Sequence, residues 1–278
     1  MNSPTALLTT DHRAVLDPGL RRPRRTGRIV TAAVALVLTG GVAVSALGAM
    51  TAERETRDVV VDDALTSVVV RGGVGDVTVR ADPDATRATV RITTVGGWSP
   101  VEASAVAEGG ALQLRSSCGR VWPGPCSAAF EVTVPEGLDL DLSTGTGDQD
   151  LTGTFGAVRF DSGTGDVSWT AARGTSLTGR VDTGDVQVQG VVPTVQLAGR
   201  TGAVRVALDE APTEVTATND TGDVRVLVPD DGTRYAATAT SDTGASRVGV
   251  PRTASSGTGS APRLVATTDT GSAVLDVH

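Results

Sequence analysis

The sequence predicts an all-β protein, in which a β-solenoid-like repeat ectodomain follows a single transmembrane α-helix. Three observations predict this fold class. A short corner motif with an invariant glycine position recurs eight times between Gly75 and Gly271, and strand-like segments flank it. An uncharged run, residues 29–49, precedes the repeats. Aromatic residues make up only 3% of the 278 residues, so the core must be built from Val, Ala and Leu.

The uncharged run has the length of a membrane-spanning helix. Its 21 residues would span roughly 31 Å at about 1.5 Å per residue, and a bilayer has a hydrocarbon core of about 30 Å. Five arginines lie within residues 21–28, which predicts a cytoplasmic N-terminus at the plasma membrane and an extracytoplasmic C-terminal domain. A cleaved signal peptide is the alternative, with Ser45 and Ala46 as small residues for cleavage.

Charge also divides at this run. Residues 1–28 carry a net charge of +4, whereas residues 53–278 carry −12. An acidic exterior domain with few aromatic residues argues against nucleic-acid binding, which needs a basic surface. The uncharged run makes the membrane the first predicted partner, contacted through residues 29–49, and nucleic acid is not expected as a partner.

The two cysteines, Cys118 and Cys126, lie in "CGRVWPGPC" on the predicted exported side, where disulfides persist. The intervening Pro-Gly-Pro favours a turn that brings them together, so we expect a disulfide. The only histidines, His12 and His278, lie near the chain ends, which makes a zinc site improbable. No cofactor is expected, because no glycine-rich phosphate loop opens onto a helix.

The corner motif sets the period of the repeats. After a first step of 72 residues, successive corner glycines are 18, 19, 18, 20, 22 and 27 residues apart. The corner glycines are Gly75, Gly147, Gly165, Gly184, Gly202, Gly222, Gly244 and Gly271.

Apolar residues alternate on both sides of each corner, as Val158/Phe160 and Val167/Trp169 do around Gly165. A period of two predicts strands with one buried face, so each unit is a strand, a tight corner and a second strand. Stacked units of near-constant length favour a solenoid. An antiparallel β-sandwich built of hairpins is the alternative.

The region before the second corner differs from the repeats. It contains strand-like segments and Trp98 and Trp122, which would anchor a ligand if this region were a binding surface; we expect it to be a cap instead. At the other end, Thr267–His278 is expected to close the stack as a terminal corner and strand. The predicted organisation is a cytoplasmic tail (1–28), a transmembrane helix (29–50), N-terminal strands and cap (51–137) and a β-strand repeat domain (138–278).

This pattern resembles a family of bacterial exported proteins of unknown function labelled "putative adhesin", whose β-strand repeats have recurring TGD or SGD corners. The resemblance extends from about Val59 to the C-terminus and includes "FEVTVPEGLDLDLSTGTGD", residues 130–148. It implies a β-solenoid-like ectodomain, and it carries no catalytic residues that could be transferred.

Acidic residues at the corners suggest two kinds of chemistry, neither of which is favoured. Asp-Thr-Gly begins at Asp182, Asp220, Asp242 and Asp269, but an aspartic protease needs two such loops facing each other, and these recur at the repeat spacing. The aspartates that follow corner glycines could form a calcium column, yet Ala203 interrupts it, and Ca²⁺ needs six to eight clustered oxygens. We expect these acids to stabilise turns.

Three function classes follow from the sequence. The first is a membrane-anchored surface or envelope binding module, adhesin-like, with a glycan or protein ligand. The second is the outer component of an envelope-sensing system. The third, a polysaccharide-active β-helix enzyme, is disfavoured because the repeats contain no Lys and no His before the final residue. We therefore do not expect an enzyme.

Overall fold

Short strands joined by sharp corners account for most of the chain in the computed structural model, which describes residues 53–97, 101–119, 124–253 and 261–278. These residues form 21 strands and no helix. No helix in that part of the chain is long and apolar enough to cross a membrane. The transmembrane segment expected at 29–49 lies outside the described residues, as do Trp98 and Trp122.

The first seven strands comprise the pair that flanks the first corner, β2 and β3, and five strands that are not part of a strand–corner–strand unit. They are β1 (Glu53–Val61), β2 (Ser67–Val74), β3 (Val77–Ala81), β4 (Ala88–Gly96), β5 (Val101–Glu108), β6 (Ala111–Cys118) and β7 (Cys126–Val134).

The remaining strands form consecutive pairs, each joined by one corner. They are β8 (Asp139–Thr146), β9 (Gln149–Thr154), β10 (Ala157–Thr164), β11 (Val167–Arg173), β12 (Ser176–Thr183), β13 (Val186–Val191), β14 (Thr194–Thr201), β15 (Val204–Leu208), β16 (Glu214–Thr221), β17 (Val224–Val228), β18 (Ala236–Thr243), β19 (Ser246–Val248), β20 (Arg263–Thr270) and β21 (Ala273–Val277).

Each strand–corner–strand unit, or rung, gives one strand to each of two large sheets. One sheet has eleven strands in the order β1-β4-β7-β3-β9-β11-β13-β15-β17-β21-β19, and the other has ten in the order β18-β20-β16-β14-β12-β10-β8-β2-β6-β5. Neighbouring rungs pair in parallel and in register, so that Val158 aligns with Leu140 on one side and Leu177 on the other. Parallel stacking of this kind is solenoid-like, and it excludes the antiparallel sandwich for the repeats.

Antiparallel pairing among the described strands is confined to the N-terminal region. It joins β1 to β4, β4 to β7, and β5 to β6. Strands β4 to β7 account for the long first step between corners, and they extend both sheets past the first rung, β2 and β3. Each sheet therefore contains strands from before residue 137 and strands from after residue 138, where the cap was predicted to meet the repeat domain.

The core is a narrow layer between the two sheets, and its residues occupy the positions that the alternation predicts. Val158 and Phe160 before a corner and Val167 and Trp169 after it are all at most 3% exposed. The rung of β18 and β19 is the exception, because Ala237, Ala239 and Val248 are only partly buried.

That exception reflects the order in which the rungs stack. The last rung in sequence, β20 and β21, lies between the rung of β16 and β17 and the rung of β18 and β19. The expectation that Thr267–His278 ends the stack is therefore wrong. Leu264 and Leu275 are fully buried in the inserted rung and need neighbours on both sides, whereas the alanines of β18 lose little by forming the open end.

Candidate functional site

The corner glycines stack in a single column along one edge of the solenoid. At Gly222, φ is +125°, and a Cβ atom would overlap the carbonyl oxygen of Gly202 on the adjacent rung. Both the backbone angle and the close approach of neighbouring rungs therefore require glycine. The same arrangement links the predicted set Gly75, Gly147, Gly165, Gly184, Gly202, Gly222, Gly271 and Gly244, in that spatial order.

Polar side chains inside the solenoid satisfy the carbonyl groups of this column. Asn219 donates from Nδ2 to the Gly202 oxygen at 2.7 Å, and the Thr268 hydroxyl donates to the Gly222 oxygen at 2.8 Å. Both side chains lie three residues before a corner glycine. Sequence reasoning missed this position, because its residue type varies from rung to rung and is apolar or Gly at several corners, as at Val181 and Gly199.

The aspartates after the corner glycines form a second ladder, on the outside. Each carboxylate accepts a hydrogen bond from the backbone amide at the same position of the next rung. The donor and acceptor pairs are Asp148 to Asp76 (3.0 Å), Asp166 to Asp148 (2.9 Å), Asp185 to Asp166 (2.8 Å), Ala203 to Asp185 (2.8 Å) and Ser272 to Asp223 (2.8 Å).

These contacts give the corner acids a structural role. The pKa of Asp185 is lowered, first by the hydrogen bond from the Ala203 amide and then by the one from Arg205. No group of three or more His, Cys, Asp or Glu side chains within the described ranges is placed to hold a metal ion. Three of the four Asp-Thr-Gly loops lie on adjacent strands, since Thr221 aligns with Thr270 and Thr270 with Thr243. The fourth, at Asp182, ends β12 of the same sheet, and β14 separates it from β16, so the loops do not face each other.

Cys118 and Cys126 are joined by a disulfide that connects the two sheets. Cys118 ends β6 in the ten-stranded sheet, and Cys126 begins β7 in the eleven-stranded sheet. Their sulfurs are bonded, and their Cα atoms are 6.0 Å apart. The bridge therefore ties β6 to the opposite sheet at the point where β6 ends.

Next to this bridge, β6 separates from β2. Pairing between the two strands stops at Arg71 and Arg115, although β2 runs on to Val74 and β6 to Cys118. Strand β5 stays paired with β6 as far as Cys118, so the two leave the sheet together. Beyond Arg71 the chain continues with Gly72 and Gly73, which have no side chains, and the Gly73 amide donates to the Ser116 hydroxyl of β6 at 3.2 Å.

An open groove of about 630 Å³ lies beside these diverging strand ends, and we call it the splayed-strand groove. It is lined by Arg71, Val101, Glu102, Ala103, Ser104, Arg115, Ser116 and Ser117. Two arginines, one carboxylate and three hydroxyl groups thus surround a small apolar patch. Such a mixture of donors and acceptors suits a polar ligand.

The two arginines of the groove are neighbours in the sheet but differ in their contacts. Arg71 forms an ion pair with Asp141, with Nη2 at 2.6 Å from Oδ2, and also donates to the Asp141 backbone oxygen at 3.0 Å. Arg115 donates from Nη2 to the neutral Gln113 Oε1 at 2.7 Å. The ion pairs formed among the described residues do not include Arg115.

The sequence did not predict the groove. The residues singled out from the sequence were the two cysteines, the two tryptophans and the corner glycines. The available signal was a break in the repeat pattern, since "VRGG" and "LRSS" have the same apolar–Arg beginning and then two small residues. Recognising it requires knowing that β2 and β6 are neighbours. Arg71 and Arg115 are 44 residues apart, and no alternation pattern relates them.

A family model described as Toastrack DUF4097 matches residues 75–278. The crystal structure of a "putative adhesin" from Bacteroides fragilis, 14% identical, aligns over 81% of this chain and 97% of that chain with a TM-score of 0.51. For a "putative cell adhesion protein" from Clostridium sporogenes, the identity is 11%, the coverage 82% and 100%, and the TM-score 0.37.

A third structure, of a "putative lipid binding protein" from Parabacteroides distasonis, is 10% identical and covers 81% of this chain and 97% of that chain, with a TM-score of 0.34. No curated protein matches the chain. At these identities the likeness shows the fold alone.

Proposed function

The chain belongs to the Toastrack DUF4097 family, and on that premise we propose that it is a membrane-anchored extracytoplasmic scaffold that binds an envelope ligand, in the manner of an adhesin. The splayed-strand groove is the binding site. The observation that carries this proposal is the divergence of β2 and β6 after Arg71 and Arg115, which opens a polar concavity in an otherwise regular sheet.

The build of the groove supports binding. Its walls belong to strands that are fixed at both ends, because β5 and β6 remain paired over their whole length and the disulfide holds the end of β6. A site on rigid strands keeps its polar groups in place before the ligand arrives, which lowers the entropic cost of binding. The remainder of the solenoid then serves as the support that displays this site.

Binding without catalysis is the proposed activity. The recurring acids of the corners are engaged with backbone amides of neighbouring rungs, as Asp148 and Asp166 are. Among the described residues that line the groove, Glu102 is the one carboxylate, and glycoside hydrolysis generally uses a pair.

The groove is tested by filling it. Gly73 borders the groove, because its amide donates to the hydroxyl of the lining residue Ser116 at 3.2 Å. A Cβ atom added at Gly73 would lie 3.7 Å from its nearest neighbour, the Ser116 backbone oxygen, so Gly73→Met should fold and place a side chain beside this lining residue. We expect the full-length chain, purified in mild detergent, to bind members of a panel of purified bacterial envelope polysaccharides, and Gly73→Met to abolish that binding. Ala198→Met, an exposed position further along the same sheet, is the matched control. Equal binding by wild type and Gly73→Met would contradict the proposed site.

The membrane anchor is a separate part of the proposal, supported by the uncharged run at 29–49 and the arginines before it. Protease added to intact cells, or to spheroplasts where a wall blocks access, should remove the region after Glu53 and spare a tag placed at Met1. A C-terminal tag that stays protected would contradict the proposed orientation.

A further inference from the structure

We propose that the ligand of the splayed-strand groove is a polyhydroxylated glycan carrying one anionic group, a carboxylate or a phosphate, and that Arg115 binds this group. The inference rests on the proposed function, since it assigns a chemical class to the ligand of the same site. It comes from the unequal use of charge among the groups that line the groove.

Among the described residues that line the groove, Arg115 is the cation available to an anion. The guanidinium of Arg71 is already neutralised by Asp141, whereas that of Arg115 contacts the uncharged side chain of Gln113. A guanidinium presents a planar set of donors that matches a carboxylate or phosphate with two parallel hydrogen bonds. Arg115 is exposed on the outer face of β6, so an anion can reach it without displacing a neighbouring strand.

The remaining polar groups favour hydroxyl groups as the other part of the ligand. Ser104 lies opposite Arg115 on β5, and Ser117 lies opposite Glu102 two pairs further on, on the same face of the sheet. The Ser117 hydroxyl is 3.4 Å from Glu102 Oε2, a long contact that leaves most of the capacity of the carboxylate unused. Glu102 can therefore accept hydrogen bonds from ligand hydroxyl groups.

Glu102 also limits the ligand to one anionic group in the groove. A second anion near this carboxylate would be repelled, and the apolar surface of Val101 and Ala103 offers it no donor side chain. The groove thus has a cationic end at Arg115 and a hydroxyl-accepting end at Glu102. An acidic sugar residue, with a charged substituent on one side of the ring and hydroxyl groups on the other, matches this polarity.

Titration calorimetry with three defined probes tests the assignment on the full-length chain in detergent. The probes are cellotetraose, as the neutral reference, and two derivatives of it in which the primary alcohol of a single sugar ring is either oxidised to a carboxylate or esterified with phosphate. We expect at least one anionic probe to bind at least about tenfold more tightly than the neutral reference, because charge-assisted hydrogen bonds contribute most. Which anionic probe binds more tightly distinguishes the carboxylate from the phosphate.

The variant Arg115→Gln should remove that preference and weaken binding of the preferred anionic probe about tenfold or more, while Arg115→Lys should retain part of it. Arg225→Gln, an exposed arginine on the other sheet, is the control and should bind as wild type does. Unchanged binding in Arg115→Gln, or equal affinity for charged and neutral probes, overturns the ligand class. If, in addition, neutral glycans bind and Gly73→Met abolishes that binding, the proposed function survives while this inference fails.

Discussion

At the scale of single residues, three positions of the corner can each have a separate task. The glycine admits a backbone carbonyl oxygen of the adjacent strand, as Gly222 does. In the rungs of Gly222, Gly244 and Gly271, a polar residue three positions earlier donates to that carbonyl. Where an aspartate follows the glycine, its carboxylate accepts a hydrogen bond from a backbone amide of the next rung. Sequence patterns identified the glycine and aspartate positions because their residue types recur. The sequence also predicted that residues before the glycine would form hydrogen bonds within the turn. In the structure, the hydrogen bonds that join adjacent rungs on the outside are accepted by the aspartate after the glycine.

The first prediction separates the two reasons for a corner glycine. Gly222→Ala imposes both a φ of +125° and an overlap with the Gly202 carbonyl, and we expect it to lower the stability by about 3 kcal/mol or more. Gly232→Ala keeps a positive φ, +81°, but meets no atom within 4 Å, and should cost only about 1–2 kcal/mol. Thermal unfolding followed by circular dichroism gives both values. Equal losses would show that contact between rungs is unimportant.

The second prediction concerns the pH dependence of the aspartate ladder. Because the folded pKa of Asp185 is lowered by the Ala203 amide and Arg205, its carboxylate stabilises the fold above the unfolded pKa, about 3.8. That contribution is lost as the pH falls through the lower, folded value. Asp185→Asn should therefore melt below wild type at pH 7, and the difference should shrink under acid. Asp161→Asn, an exposed acid on β10, is the control, and a pH-independent difference for Asp185→Asn would contradict the linkage.

At the scale of the strands, the sequence predicts which residues of a rung are buried but not which rungs are neighbours. The alternation of Leu264 and Ala266 places the buried face of β20 correctly, because side-chain period is a local property. Which rungs become neighbours depends instead on how much apolar surface each rung buries when another rung covers it on both sides, and this is not a local property of the sequence. For the same reason, the groove between β2 and β6 could not be read from either strand alone.

The third prediction tests the inserted rung. Leu275→Asp places a charge at a fully buried position of β21 and should cost about 4 kcal/mol or more, whereas Asp269→Asn, exposed at the end of β20, should cost at most about 1 kcal/mol. Hydrogen exchange should show that Leu275→Asp also exposes the amides of β18, since β18 pairs with β20 and with no other strand among those described. Retained protection of β18 would contradict the stacking order.

At the scale of the whole molecule, protection of the sheet edges is uneven. Edge strand β1 begins "ERETRD", five charges in six residues, and Arg57 reaches from it to donate to the Ala103 oxygen of edge strand β5 at 3.0 Å. Edge strand β18, "AATATSDT", has one charge. Charged edges resist pairing with other chains, so the N-terminal end of the solenoid is the better protected of the two.

The fourth prediction concerns the bridge that connects the two sheets. Replacing Cys118 and Cys126 by serine should lower the stability by roughly 2–3 kcal/mol in the loop-entropy model, since the closed loop is short. It should also weaken ligand binding in the splayed-strand groove, because β6 would be free to pair further with β2. Mass spectrometry after alkylation without reductant checks the bridge in the protein isolated from cells. Two alkylated cysteines would refute it.

The inserted rung has a consequence for how the protein is made. Synthesis proceeds from the N-terminus, and β18 and β19 leave the ribosome before the strands that pair with them. Each earlier rung can dock on its predecessor as it emerges, but these two strands must wait until β20 and β21 have been translated. A product that terminates before β20 therefore carries unpaired strand edges that proteolytic quality control can detect.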